Sequence, residues 1–502
     1  MILNKAEIVR VASELGFRVV IADPKLTSSM NKFSVVVNRC SVLVGAHGAG
    51  LTNELFIPNG KQVPYLGSEC SCEARAGATE GSISNGGNDE KDDSSLTSRL
   101  GKLLRGNDRR QLETIGFGCK SDHMNDVCVS NQRVWMKTDN GNLSVYFNSK
   151  NVQPPQLQHQ ISLKVRPYVN KKNDEYTKED VREITIQTPM EHQSYNYTCD
   201  VTHDIPAVIF STGLNGNIFH EFNEMILPLF LTCRHFRSQL RFVISDFNER
   251  WAHKYRPILS HLSDYELINA SEDNRIHCFP GFVIGLHFHN EHLVCSNSDL
   301  PVNCSMLDFR QFLRETFHLE IKNVSQLLYN NTKPELVLLS RRRSRMILNE
   351  AEIVTVASEL GFSVVIADPE LTSNMNKFSV VVNRCSVLVG AHGAGLTNEL
   401  FIPDGAVVVQ VVPLGIQWAS TNYFGKPSKE MGVQYLEYQI SPQESSLLDV
   451  YGPNHTIITD PDSIHRQGFN VGRPIYIEGQ NITLNISNFK DTLVQAFKLL
   501  GR

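Results

Sequence analysis

The 502-residue chain has no apolar run of about 18 residues, so no membrane-spanning helix is expected from it. Its opening stretch, MILNKAEIVRVASELGF, lacks the basic start, apolar block and small-residue cleavage site of a signal peptide, and reads as an amphipathic helix. There is no excess of positive charge. A net charge of −5 gives no bulk attraction to nucleic acid or acidic lipid, so no nucleic-acid partner is expected. The eleven cysteines form no CxxC pairs, which argues against a zinc site. Cys119, Cys128 and Cys199 sit in polar surroundings that suit disulfides. N-x-S/T sequons at Asn142, Asn196, Asn269, Asn303, Asn323, Asn330, Asn454, Asn481 and Asn485 also suit a lumenal setting.

What is present is a long internal repeat. Residues 1–60 match 346–405 apart from Lys5/Glu350, Arg10/Thr355, Arg18/Ser363, Lys25/Glu370, Ser29/Asn374 and Asn59/Asp404. The second copy has the fuller context. ELVLLSRRRSR (335–345) precedes it as a buried-strand pattern running into arginines, and AVVVQVVP (406–413) follows as another strand. Between them the pattern predicts a helix over Asn349–Leu360, a strand over Phe362–Ala367, a helix, a strand over Ser386–Val389, a glycine turn and a helix. Such alternation predicts a parallel, Rossmann-like sheet. The first copy lacks the upstream strand and the arginines. Half a sheet cannot bury both faces, so 1–60 is expected to be an orphan fragment.

The remaining boundaries follow from composition. Residues 61–114, polar and Gly/Ser-rich, are expected to be a disordered linker. Residues 115–334 form an α/β block with a hairpin turning at Asn140-Gly141 and a buried strand, IPAVIFSTG (205–213). It also holds an apolar helix interrupted by Pro228, strands in LRFVISD and HCFPGFVIGL, and a helix in DFRQFLRETFHL. Residues 335–486 form the second α/β lobe, and 487–502 a final amphipathic helix.

Three stretches carry candidate chemistry. GAHGAG (390–395) has glycines that allow close backbone approach at a helix start, with His392 at the mouth. Its spacing is not the dinucleotide fingerprint, and it has no P-loop lysine. SRRRSR (340–345) lies at the carboxyl end of its strand, the edge that also carries the glycine turn, so both face one crevice. Arginine forks bind phosphate oxygens bidentately, so the two together describe a diphosphate pocket. STGLNGNIFHEFNEM (211–225) spaces Asn217, His220, Glu221 and Glu224 along one helix face, with Phe219, Phe222, Met225 and Ile226 on the other. A carboxylate beside a histidine at a helix start suits proton transfer. Two further stretches are weaker. His287 and His289 in GLHFHNEHL (285–293) have no third metal ligand indicated, and Asp460-Pro461-Asp462 reads as a turn.

With STGLNGNIFHEFNEMILPLFLT, HCFPGFVIGL, SMLDFRQFLRE, LLSRRRSRMILNEAEIV, VGAHGAGLTNELFIPDGAVVVQVVP, MGVQYLEYQI and DPDSIHRQGF in order, about 115–500 resembles the plant members of glycosyltransferase family 61. The resemblance implies a GT-B architecture, with two Rossmann-like lobes facing a cleft and the C-terminal helix packing back on the first lobe. It implies inverting, metal-independent transfer of xylose or arabinofuranose from a UDP-sugar to xylan or a related glycan, with no cofactor, in the Golgi lumen. The family's membrane anchor is expected to be absent from this chain. By motif, Arg341, Arg342, Arg343, Arg345, His392, Gly393, Ala394 and Gly395 would hold the nucleotide-sugar, and Asn217 the acceptor. Glu224 is the expected base, then Glu221, with His220 as orienter. His47, in the first copy, is expected to have no catalytic role. The alternative is a catalytically inactive nucleotide- or glycan-binding protein, or a truncated or fused gene product.

Overall fold

A computed structural model describes residues 95–122, 124–148, 161–169, 181–188, 196–289, 292–295, 304–329 and 332–501. The chain divides into two units, Met1–Asp89 and Glu90–Arg502. The repeat copy at 1–60, with His47, lies outside the described residues. The tail of the expected linker is ordered, which corrects the reading of 61–114. Helices Leu96–Gly101 and Gly106–Ile115 occupy it, the first capped by the Ser95 side chain. Leu100, Leu103, Leu104 and Leu112 are buried, so four leucines outweigh the polar composition around them.

The first lobe carries two six-stranded sheets. Its strands are β1 (Phe117–Ser121), β2 (Asp126–Ser130), β3 (Val134–Asp139), β4 (Asn142–Phe147), β5 (Ser162–Val165), β6 (Ile184–Gln187), β7 (Val201–Thr202), β8 (Ala207–Phe210), β9 (Arg241–Ile244), β10 (Ile268–Asn269), β11 (His277–Phe279) and β12 (Phe282–Ile284). One sheet has the order β1-β2-β12-β8-β9-β10, with parallel pairing from β12 to β10. The other has the order β5-β6-β4-β3-β11-β7 and is largely antiparallel. The β3–β4 hairpin turns through Asn140 and Gly141, both at positive φ, as the Asn-Gly pair predicts. β8 is buried on both faces. Ala207 and Ile209 join Phe117, Phe147 and Phe282 in a core shared by the two sheets, while Val208 and Phe210 enter the main core on the other side. This lobe is therefore more than the expected alternating block: an antiparallel layer is added to its parallel centre. Disulfides Cys119–Cys128 and Cys199–Cys278 tie its strands.

The second lobe is one all-parallel sheet of β13 (Glu335–Leu339), β14 (Ser363–Ala367), β15 (Val387–Ala391), β16 (Val407–Val412) and β17 (Gln434–Gln439). Its order is β14-β13-β15-β16-β17. After β13 the chain steps outward to β14, then crosses back to β15 on the other side. The strand order reverses between β13 and β15, and open α/β sheets bind ligands in the crevice at such a switch point. The arginine turn leaves β13 there, and the glycine turn leaves β15 there.

Helix Met306–Thr316 packs on the 3-10 helix Ala394–Phe401, and one hydrophobic core runs through both parts. Arg310, fully buried, donates to Asp404 at 2.7 Å and to the carbonyls of Met431 and Ile402; Arg314 also reaches Asp404 at 2.7 Å. The C-terminal helix Ile486–Leu499 does not pack on the first lobe as expected. Its buried stripe lies on β16, β17 and helix Glu350–Glu359 of its own lobe, with Phe489 against Tyr438 and Phe497 against Phe362. Those two rings offer its apolar face a partner next door. No helix among the described residues is long and apolar enough to cross a membrane.

Candidate functional site

The glycine turn and the arginine turn touch. Gly393 has φ 143°, and a Cβ there would lie 2.8 Å from an Arg341 guanidinium nitrogen and 3.2 Å from one of Arg345. Only glycine lets both guanidinium groups close on this backbone. Arg345 sits at φ 52° and is buried; it donates through Nη1 to the His392 carbonyl at 2.9 Å, while its Nε has no partner. Arg341 donates to the Ser344 carbonyl at 2.8 Å. Both arginines bond neutral oxygens. Burial pulls each below the usual guanidinium range, Arg345 further through its neighbour Arg341. Two adjacent cations, Arg345 buried and Arg341 half-buried, without a bonded carboxylate favour an anion. Beside them Ala394 and Gly395, half-buried, open a 3-10 helix whose first N–H groups have no intrahelical acceptor. Arg342 and Arg343 are exposed, and Arg342 reaches only the Ser340 hydroxyl at 3.0 Å. Of the four expected arginines, two converge on the glycine turn.

The second group forms around a widened helix. An α-helical turn Ile218–Glu221 runs into a π-helical turn Phe222–Ile226 and then helix Leu227–Cys233. Pro228 gives no N–H and crowds the preceding turn, so the chain widens there and continues where a break is expected. Asn217 is the N-cap, accepting from the Phe219 N–H at 3.0 Å. Glu221 and Glu224 are both buried, and each takes its own set of partners. Glu221 is fully engaged by Lys254 at 2.5 Å, the Tyr255 hydroxyl at 2.6 Å and the Gly216 N–H at 3.0 Å. Glu224 takes the Tyr168 hydroxyl on one oxygen and His220 Nδ1, at 2.7 Å, on the other. Gly213, at φ 47°, leaves room for the Tyr168 ring. The His220 side chain, 37% exposed, is the reachable member. Burial pulls His220 down, but the hydrogen bond and charge of Glu224 outweigh it, and the net shift is upward.

An aromatic bridge links the two groups. Tyr423 and Phe424, in a second π-helical turn Thr421–Gly425, lie 5.0 and 6.2 Å from Phe219 and 6.1 and 5.5 Å from His392, ring to ring. Phe219 in turn meets His220 at 5.7 Å. Tyr168, Tyr423 and Phe424 escape sequence reasoning because they are far from both motifs in the chain. The weaker candidates resolve as local structure. His289 is bonded to the His292 carbonyl at 2.7 Å and His287 is buried near Thr232, so they serve different neighbours. Asp460 caps the helix that begins at Pro461. Among the described residues, no group of three His, Cys, Asp or Glu is placed to hold a metal ion.

The family model described as Glycosyltransferase 61 matches residues 217–409, a span running from Asn217 through both turns. Two rice (Oryza sativa subsp. japonica) proteins named alpha-1,3-arabinosyltransferase are 37% and 38% identical over 368 and 353 residues, 72% and 70% of this chain. The chain spans 62% and 60% of their lengths. A protein of Arabidopsis thaliana named xylan glycosyltransferase is 32% identical over 391 residues, 75% of this chain and 78% of its own length. On these matches the chain belongs to glycosyltransferase family 61.

Proposed function

We propose that the chain is an inverting glycosyltransferase of GT-B type, moving a pentose from a UDP-sugar to xylan or a related glycan. The observation that carries this reading is the pair Arg341 and Arg345 closing on Gly393 at the switch point, joined through Tyr423 and Phe424 to the His220–Glu224 pair. The arginines and the N–H groups of Ala394 and Gly395 take up charge developing on the departing diphosphate, with no metal ion needed for that task. Glu224 is sealed between Tyr168 and His220, so it is assigned the orienting role, and His220 Nε2 accepts the acceptor hydroxyl proton. This reverses the order expected from sequence. The relatives' names, arabinosyltransferase and xylan glycosyltransferase, support a pentose and a xylan acceptor. The two disulfides support an oxidising compartment such as the Golgi lumen. The test is UDP release by the full chain from UDP-xylose or UDP-arabinofuranose, with and without a xylo-oligosaccharide. Acceptor-dependent release with an inverted anomeric bond is expected. UDP binding without turnover on any UDP-pentose would overturn the catalytic reading in favour of a binding protein.

A further inference from the structure

Gln410 interrupts five valines in β16, and all six side chains are buried. An amide in such surroundings costs stability unless both ends are bonded. Both are: Nε2 lies 2.9 Å from His392 Nδ1, and Oε1 lies 3.1 Å from the Tyr435 hydroxyl. The hydroxyl is also 2.8 Å from Glu437. Gln410 pairs in register with Gly390 on β15 and Glu437 on β17, so the chain of groups crosses three adjacent strands and ends at the glycine turn.

We propose that Gln410 is a positioning residue: its amide N–H, oriented by Tyr435, donates to His392 Nδ1 and holds the ring as the Nε2–H tautomer. An uncharged N–H is then presented beside Arg341 and Arg345, a donor to the diphosphate oxygen on which charge grows as the bond to the sugar breaks. The assignment rests on the diphosphate reading of this turn. Nε2 has no hydrogen-bond partner among the described residues and is not among their sealed, unbonded polar atoms. The ring is neutral, because burial together with Arg345 and Arg341 pulls His392 down to about 3. The single Tyr435 hydroxyl proton is shared between Gln410 Oε1 at 3.1 Å and Glu437 at 2.8 Å. Burial and Glu437 push Tyr435 up, so its hydroxyl stays protonated. Burial raises Glu437, but hydrogen bonds from Ser420, Tyr435, Gln439 and Thr421 outweigh it and keep it a carboxylate. The signal was in the sequence as a lone polar residue in VVVQVV.

The test is the ¹⁵N spectrum of the full-length protein's histidines, with His392 assigned by its loss in His392→Asn. A bare Nδ1 and a protonated Nε2 are expected in the wild type. Gln410→Glu replaces the donor with an acceptor and moves a proton to Nδ1; Tyr435→Phe, which keeps the ring, gives a mixture of tautomers. Gln410→Leu lowers turnover by about 10-fold or more while changing UDP affinity much less. A protonated Nδ1 in the wild type, or full turnover in a folded Gln410→Leu, overturns the assignment while UDP binding stands. Failure of the wild type to bind UDP overturns the diphosphate reading instead, and leaves the tautomer measurable.

Discussion

Replacing Glu224 by glutamine keeps the shape of the site and removes one charge. In the native protein both Glu224 oxygens are engaged, one by Tyr168 and one by His220 Nδ1 at 2.7 Å, and the carboxylate is 2% exposed. That buried charge holds a proton on Nδ1, leaves Nε2 to accept, and stabilises the imidazolium formed during transfer. Glutamine does none of these as well. Loss of a properly oriented general base costs about 100-fold or more in rate, equivalent to about 2.7 kcal/mol of transition-state stabilisation. The pH dependence carries a sign. His220 must be unprotonated to act, so kcat/KM rises with pH through its raised value. Without Glu224 the stronger raising partner is gone, while burial and the charge of Glu221 remain, so the rising limb moves to lower pH while the plateau falls. UDP release against pH reads both quantities, and calorimetry with UDP is expected to match the wild type, since Glu224 lies on the other lobe. A wild-type plateau in Glu224→Gln, or a limb moved to higher pH, would refute the reasoning.

Four further outcomes are expected. Arg341→Ala weakens UDP binding about 10- to 100-fold, the value of one charge-assisted hydrogen bond, while exposed Arg342→Ala has a smaller effect; calorimetry that finds equal losses contradicts the assignment. Gly393→Ala displaces the Arg341 guanidinium and strains a backbone at φ 143°, so UDP affinity falls in a protein whose circular dichroism is unchanged. Asp404→Asn, which installs the residue found at the matching position of the first copy, Asn59, weakens the hold on buried Arg310; a loss of about 1–3 kcal/mol is expected in denaturant unfolding. Reducing Cys199–Cys278, which closes a separation of 79 residues, lowers Tm, with about 2–4 kcal/mol at stake.

The second lobe was legible because its sheet is local and its central strands β13, β15 and β16 are buried. The pattern places strands at 335–339, 362–367, 386–389 and 406–413; they form at Glu335–Leu339, Ser363–Ala367, Val387–Ala391 and Val407–Val412. The first lobe was legible only in part. The β3–β4 hairpin of the second sheet was legible, but β5 and β6, SLKV and ITIQ, are short, half-polar and paired across long stretches of chain. Motif spacing picked out His220, Glu224, Arg341, Arg345 and Gly393, and the structure pairs the first two and packs the last three together. It could not rank the two carboxylates, because what separates them is tertiary: Lys254 and Tyr255 capture Glu221, and Tyr168 seals Glu224. Nor could it separate half-buried Arg341 and buried Arg345 from exposed Arg342 and Arg343, which share one run of basic residues.

A nucleotide diphosphate is expected to be gripped where β13 and β15 part. A crystal structure of the full chain with UDP tests it most directly. The diphosphate is expected against Gly393, Ala394 and Gly395, bonded by Arg341 and Arg345, with the His392 imidazole on one of its oxygens. A diphosphate bound elsewhere, or held by Arg342 and Arg343 at the surface, would contradict it.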